Sequence, residues 1–183
     1  MSTRQSIVEI GDELLRSRGY SAFSYSDISK RLGIKNAAIH YHFPTKADLI
    51  LAIIDFHRTS FKKFEERSDS KDPMQQIKLF LNFYTSIQVS GKICVIGAFA
   101  TDWNSISNEA QTAMNNFTGQ VISWLTNNLQ NGLDNNFFTL KHSAESEALG
   151  ILTNIFGATQ LARITGTDHF TAIKQNIIQR ITP

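Results

Sequence analysis

The sequence predicts an all-α fold of about nine helices, and three observations carry that prediction. Apolar residues recur three and four positions apart along nearly the whole chain, the period that turns one face of a helix toward a core. Residues that start and stop helices punctuate these stretches: Ser24, Thr45, Asp72 and Ser107 stand at starts, and Gly19, Gly33, Gly91, Gly132 and Gly166 at ends. No stretch alternates polar and apolar residues as a half-buried strand does, and there is neither a repeat nor a low-complexity segment.

The elements follow in order. Ile7, Ile10, Leu14 and Leu15 mark a first helix that ends at Gly19. Ser24 and Asp27 have the spacing of a capping box, which opens a short helix through Ile28 and Leu32 that Gly33 closes. A second short helix covers roughly Lys35 to His42, where Pro44 breaks it. Thr45 re-caps, and a long amphipathic helix runs from Lys46 to about Glu66. The charged break SDSKDP at 68–73 ends with Asp72 and Pro73, a cap followed by a first-turn proline, for a helix carrying Ile77, Phe80, Leu81, Tyr84 and Ile87 up to Gly91. A shorter apolar piece spans Ile93 to Trp103. Ser107 and Glu109 open a longer helix with Ala110, Met114, Phe117, Val121, Trp124, Leu125 and Leu129, ended by Gly132. Two more helices close the chain, Ser143 to Arg163 and Thr167 to Ile181.

At 183 residues, 42% apolar and 10% aromatic, the chain has material for a packed core. The lone Cys94 excludes an intrachain disulfide and a cysteine zinc cluster, and points to a reducing compartment. No apolar run reaches the roughly 18 residues of a membrane span, and MSTRQSIVEIGDE has no signal-peptide core, so the expectation is a cytoplasmic protein without a membrane partner. The net charge of +2 is unevenly placed: residues 1–63 hold ten Lys/Arg against six Asp/Glu, and residues 64–183 hold eight against ten. The basic excess is N-terminal, where a motif must decide whether it means nucleic acid.

That motif lies in IKNAAIHYHFPTKADL, residues 34–49. Two short helices with Gly33 at the turn, locked by Ile28, Leu32, Ile34 and Ile39, make a helix-turn-helix. Its second helix exposes Lys35, Asn36, His40 and Tyr41, while the small Ala37 and Ala38 allow backbone approach to a major groove. Lys46 is expected to reach a phosphate. With Ser24 at the first cap and His42 at the end of the second helix, the expected DNA-facing set is Ser24, Lys35, Asn36, Ala37, His40, Tyr41, His42 and Lys46. His40 and His42 diverge by about 200° around a helix and cannot chelate one metal, and neither has an acid–base partner in sequence. No metal, cofactor or catalytic residue is expected. Packing against neighbouring helices is the competing reading for Tyr41 and His42.

Residues 19–49, GYSAFSYSDISKRLGIKNAAIHYHFPTKADL, resemble the N-terminal DNA-binding domain of the TetR family of transcriptional regulators. The likeness rests on Gly19-Tyr20, Asp27-Ile28, Leu32-Gly33-Ile34, the run Ile39 to Phe43, Pro44-Thr45-Lys46 and Asp48-Leu49. The family often has Tyr where this chain has His40 and Gly where it has Ala37, a difference that bears on which bases are read. The resemblance implies a helix-turn-helix domain over residues 1–47 and a ligand-binding and dimerisation domain over 48–183. It also implies a repressor released from an inverted-repeat operator in double-stranded DNA by a small-molecule effector.

Phe80, Tyr84, Phe99, Trp103, Met114, Phe117 and Trp124 are either plain core or the lining of a cleft for an apolar or aromatic molecule, and the resemblance favours the cleft. Two wide apolar faces near the C-terminus predict a two-fold homodimer through a four-helix bundle, with Ile151, Ile155, Phe156, Ile173 and Ile177 at the interface; internal core is the competing reading for both helices. Cys94, among Ile93, Val95 and Ile96, reads as a buried apolar residue, with a thiol sensor as the minor variant. An all-α enzyme and a helical interaction module without DNA are the competing classes. The first would need convergent catalytic groups, whereas the acidic and His residues of 48–183 are scattered.

Overall fold

The computed structural model describes residues 2–89 and 92–182, and the side chains of all of these except 85–89. The expectations for Ile87 and for the stop at Gly91 lie outside the described residues. The architecture is all-α: among the described residues there are nine α-helices, one 3-10 turn and no strand. The helices are α1 (Thr3–Arg18), α2 (Tyr25–Leu32), α3 (Asn36–His42), α4 (Lys46–Ser68), α5 (Pro73–Val89), α6 (Val95–Thr101), α7 (Asn108–Asp134), α8 (Ala144–Thr165) and α9 (Phe170–Ile181).

The chain forms two compact units, Met1–Phe61 with Val95–Phe117, and Lys62–Cys94 with Thr118–Pro183. This cut differs from the division expected at 47/48, because α4 and α7 each supply residues to both units. In the first unit, Ile7, Leu14, Leu15, Ile28, Ile39, Leu49, Ile50 and Ile53 are fully buried. Gly11 lets α1 approach α4, since a Cβ there would stand 3.2 Å from Ile53 Cδ1 and 3.3 Å from Leu49 Cδ2. Beside this contact lies a polar tie: His57 Nε2 of α4 sits 2.6 Å from Asp12 Oδ1, and Arg16 Nη1 donates to Asp12 Oδ2 at 3.2 Å. Burial works to raise the Asp12 pKa, but the His57 hydrogen bond and the His57 and Arg16 charges together hold it below the ordinary carboxylate value.

In the second unit, α8 packs on α9, and α5 packs on both. Their shared core includes Ile77, Leu81, Ala148, Ile151, Ile155, Phe170, Ile177 and Ile181. Gly132 departs from expectation. It lies inside α7, which continues to Asp134, and a Cβ there would come within 2.0 Å of the Phe138 ring. The residue is a notch for Phe138 rather than a helix stop. The last helix begins at Phe170 rather than Thr167, because the Asp168 carboxylate accepts the Phe170 N–H at 2.8 Å and caps the helix there.

The interface residues read from the sequence need correction. Ile151, Ile155 and Ile177 are buried to within 1% inside a single chain, so they are core and have no surface to offer a second copy. Phe156 and Ile173 keep partial exposure. The apolar residues that α8 leaves open are Leu149, Leu161 and Ile164, the last 80% exposed. Leu149, Phe156 and Ile164 recur seven and eight residues apart and therefore share one stripe, which adjoins the buried face at Leu152, with Leu161 one turn before Ile164 widening it.

Candidate nucleic-acid interface

Two reciprocal caps frame the helix-turn-helix. At the start of α2, the backbone N–H and the hydroxyl of Ser24 both donate to Asp27 Oδ2, at 2.8 and 2.7 Å. At the start of α4, the Thr45 N–H and hydroxyl donate to Asp48 Oδ2 at 2.8 and 2.7 Å, and the Asp48 N–H returns a bond to Thr45 Oγ1 at 3.2 Å. These bonds stabilise the ionised carboxylates and lower the pKa of Asp27 and Asp48. Gly33 takes φ 66° at the turn between α2 and α3, a left-handed conformation that costs a side-chain-bearing residue about 1–2 kcal/mol.

The caps fix the ends, and one tyrosine ties them together. Tyr25 is buried, and its hydroxyl lies 2.8 Å from the Phe43 carbonyl and 2.5 Å from the Thr45 carbonyl, across the turn from α3 to α4. Burial pushes the phenol pKa up to about 12, so it keeps the proton those bonds need. Sequence reading missed this residue, because its partners lie 18 and 20 positions away.

On this frame α3 turns Ile39 fully inward and leaves Lys35, Asn36, Ala37, His40 and Tyr41 exposed. Tyr41 is 84% exposed, and its ring meets that of His42 edge-on at 5.2 Å. The packing alternative therefore fails for Tyr41, while His42 is half-buried. The His40 ring is held in place by an edge contact with Tyr25 at 4.8 Å and by Nδ1, 3.3 Å from the Pro44 carbonyl. A carbonyl only accepts, so this bond puts a proton on Nδ1 and leaves Nε2 for an outside partner.

Lys46 is placed against expectation. Its ammonium points inward, donating to the Tyr20 carbonyl at 2.5 Å and the Phe23 carbonyl at 2.6 Å, and lies 4.3 and 4.2 Å from the Tyr20 and Phe23 ring centroids. Burial pulls its pKa below the ordinary lysine value, against the charges of Asp102 and Asp27. This lysine spends two of its three donors on the loop between α1 and α2. Ser24 is exposed, with its hydroxyl proton committed to Asp27.

The aromatic residues read as an effector site separate into two groups. Phe80, Tyr84 and Trp124 come together in the second unit: Phe80 stacks on Trp124 at 5.4 Å and meets Tyr84 at 5.1 Å, while Phe64 lies 5.1 Å from Trp124. One helical turn away, Gln76 Nε2 donates to the Ser68 carbonyl, and the Asn128 amide donates to Gln76 Oε1. Phe99, Met114 and Phe117 are buried in the first unit, where Phe117 meets Phe61 at 6.1 Å, and Trp103 is half-buried there. A surface hollow of about 520 Å³ in the second unit is lined by Lys78, Asn82, Lys174, Gln175, Ile178 and Gln179, none of them in the expected set. Cys94 is buried. Among the described residues no helix is long and apolar enough to cross a membrane.

A capped helix pair with one polar face turned outward defines a helix-turn-helix protein. Residues 7–53 match the family model described as bacterial regulatory proteins, tetR family. The HTH-type transcriptional regulator TtgR of Pseudomonas putida is 29% identical over 94 residues, covering 49% of this chain and 45% of that protein. The match thus spans less than half the length of that curated relative. Likeness to solved structures extends over the whole chain. A TetR transcriptional regulator from Legionella pneumophila superposes with a TM-score of 0.90 at 28% identity, covering 100% of this chain and 98% of the other. A TetR family regulator from Agrobacterium tumefaciens does so with a TM-score of 0.91 at 27% identity, covering 98% and 97%. By sequence the likeness to the TetR family covers residues 7–53, and in fold it extends over the whole chain.

Proposed function

We propose that the protein is a DNA-binding transcriptional regulator, a repressor that binds an inverted-repeat operator as a homodimer and leaves it when an apolar or aromatic small molecule binds. Residues 1–47 read the DNA, and residues 48–183 bind the effector and the second copy. The observation that carries the reading is the outer face of α3, where Lys35, Asn36, His40 and Tyr41 are exposed around the small Ala37 on a helix anchored by Ile39. Lysine and tyrosine supply sequence-independent contacts to phosphates; asparagine and the free Nε2 of His40 reach base edges. The second copy is held by the outer stripe of α8, Leu149, Phe156, Leu161 and Ile164, beside the open Gly157. The effector site is the Phe80, Tyr84 and Trp124 cluster, to which α4 contributes Phe64 while its first turns carry the buried Leu49 and Ile50 of the first unit. A ligand there changes DNA affinity only through different strength of binding to the DNA-competent and incompetent states.

Selection of bound DNA from a random pool tests the reading. An inverted repeat whose binding weakens with salt is the expected result. If no sequence is enriched, the proposal fails.

A further inference from the structure

We infer that Asp102, at the end of α6, is a positioning residue for the DNA-reading helices, acting through the loop that joins α1 to α2. The inference rests on the DNA-binding reading above. Asp102 Oδ2 accepts the Tyr20 N–H at 2.8 Å, and Oδ1 accepts the Ser21 hydroxyl at 2.8 Å. On the other side of the loop, the Lys46 ammonium takes the Tyr20 and Phe23 carbonyls. A carboxylate thus holds the donors of a short loop while an ammonium holds its acceptors, and charge assistance makes both sets stronger than neutral bonds. Gly19, at the entry, has φ 95° and so stands in a region that a side chain disfavours. A Cβ there would also lie 3.0 Å from Asp102 Oδ2.

The loop is the lead-in to the reading head. It runs directly into the Ser24–Asp27 cap of α2, α2 packs on α3, and Tyr25 pins the turn that ends α3. Asp102 belongs to the same compact unit but stands 81 and 82 residues from its partners in sequence, on a different element. α6 also packs on α1, so the acid and the helix entering the loop share one support. A movement of α6 by about 1 Å away from the loop, along these bonds, would stretch the 2.8 Å contacts beyond the hydrogen-bond range of about 3.2 Å and release the loop from one side. The carboxylate therefore converts the position of α6 into the position of α2 and α3.

The test uses the full chain, the DNA sequence that the unmodified protein selects from a random pool, and the variants Asp102→Ala, Asp102→Asn and Ser21→Ala. Three quantities are read: affinity for that DNA, hydrogen exchange at the Tyr20 amide, and the thermal midpoint. Asp102→Ala is expected to lose Tyr20 amide protection and to bind the DNA about 5- to 150-fold more weakly. Asp102→Asn keeps one acceptor for that amide and is expected to fall between it and the unmodified protein. Ser21→Ala, an exposed change that removes only one bond, is expected to show a smaller loss of affinity with an unchanged midpoint. A merely structural role would lower the midpoint without selectively exposing Tyr20. Unaltered affinity in Asp102→Ala, or lost affinity with Tyr20 still protected, overturns the inference alone. If the unmodified protein selects no DNA, the functional reading falls and this inference with it.

Discussion

Helices α3 and α8 each bury one side, and they place opposite chemistry on the other. α3 anchors itself with Ile39 and shows water Lys35, Asn36, His40 and Tyr41. α8 anchors itself with Ile151, Leu152 and Ile155 and shows water Leu149, Leu161 and Ile164. Tyr41 and Ile164, at 84% and 80%, are exposed to nearly the same degree. Their consequences differ, because a phenol on a helix that also exposes a histidine and an asparagine suits a charged, hydrated partner. A stripe of aliphatic side chains gains free energy only against another apolar surface. The comparison shows that exposure alone does not identify an interface; the neighbours of the exposed group do.

The largest effects should come from the buried sides of the two helices. Ile39→Ala and Ile155→Ala each remove a fully buried side chain, and each is expected to cost roughly 2–5 kcal/mol of unfolding free energy in denaturant titrations. Tyr41→Ala and Ile164→Ala remove groups that are exposed in the single chain and should stay within about 0.5 kcal/mol when measured on monomeric protein. If the exposed pair proved as destabilising as the buried pair, the division into inner and outer faces would be wrong for both helices.

Next in size is the loss of assembly. A double Leu161→Glu, Ile164→Glu variant places charge on the outer face of α8, and sedimentation should find a monomer where the unmodified protein is expected to sediment as a dimer. Tyr41→Ala should remain dimeric while losing affinity for all DNA sequences. A dimer that survives the double charge change would move the interface elsewhere and leave the apolar stripe unexplained.

The two helices were not equally legible in sequence. Around α3 the signals are local: Ser24 and Asp27, Thr45 and Asp48, Gly33 and Pro44 all act within a few residues, so both ends of the helix-turn-helix could be placed before any packing was known. α8 has apolar residues on both sides, and periodicity cannot say which side a chain keeps for itself. Hence the apolar pattern points to Ile151, Ile155 and Ile177 as an interface although they are core. The setting of Lys46 was hidden for a related reason: its position at a helix start is readable, but the carbonyls of Tyr20 and Phe23 that hold it are 26 and 23 residues away. Gly132 carries the same lesson, since nothing near it in sequence announces the Phe138 ring.

A smaller and more specific effect belongs to His40. With Nδ1 turned to the Pro44 carbonyl, Nε2 accepts a hydrogen bond when the ring is neutral and donates one when it is protonated. His40→Ala should therefore relax base preference at one position of each half-site, by about 1–3 kcal/mol, with little change in affinity for unrelated DNA. Competition binding against operator variants measures this. A uniform loss across all sequences would instead make His40 a backbone contact like Tyr41.

The smallest effect is a dependence on acid that should separate the two regions again. Asp27 and Asp48 both have their pKa lowered by hydrogen bonds from Ser24 and Thr45 at the starts of α2 and α4. A carboxylate whose pKa is lower folded than unfolded contributes stability in full above the unfolded value, about 4, and loses it as pH falls through the folded value. Asp12 is shifted in the same direction by His57 and Arg16. The first unit should thus weaken as pH falls below about 4. The cap of α8 contrasts with these, because Ser143 Oγ accepts the Ser146 N–H at 3.2 Å and a hydroxyl has nothing to titrate in this range. Hydrogen exchange between about pH 5 and pH 3, corrected for intrinsic rates, should show protection falling at the Asp48 amide but not at the Ser146 amide. The double variant Asp27→Asn, Asp48→Asn should remove most of the acid dependence at α2 and α4 while lowering stability at neutral pH. An unchanged acid profile in that variant would assign the sensitivity to Asp12 and its α1–α4 tie, leaving the two caps as pH-insensitive geometry.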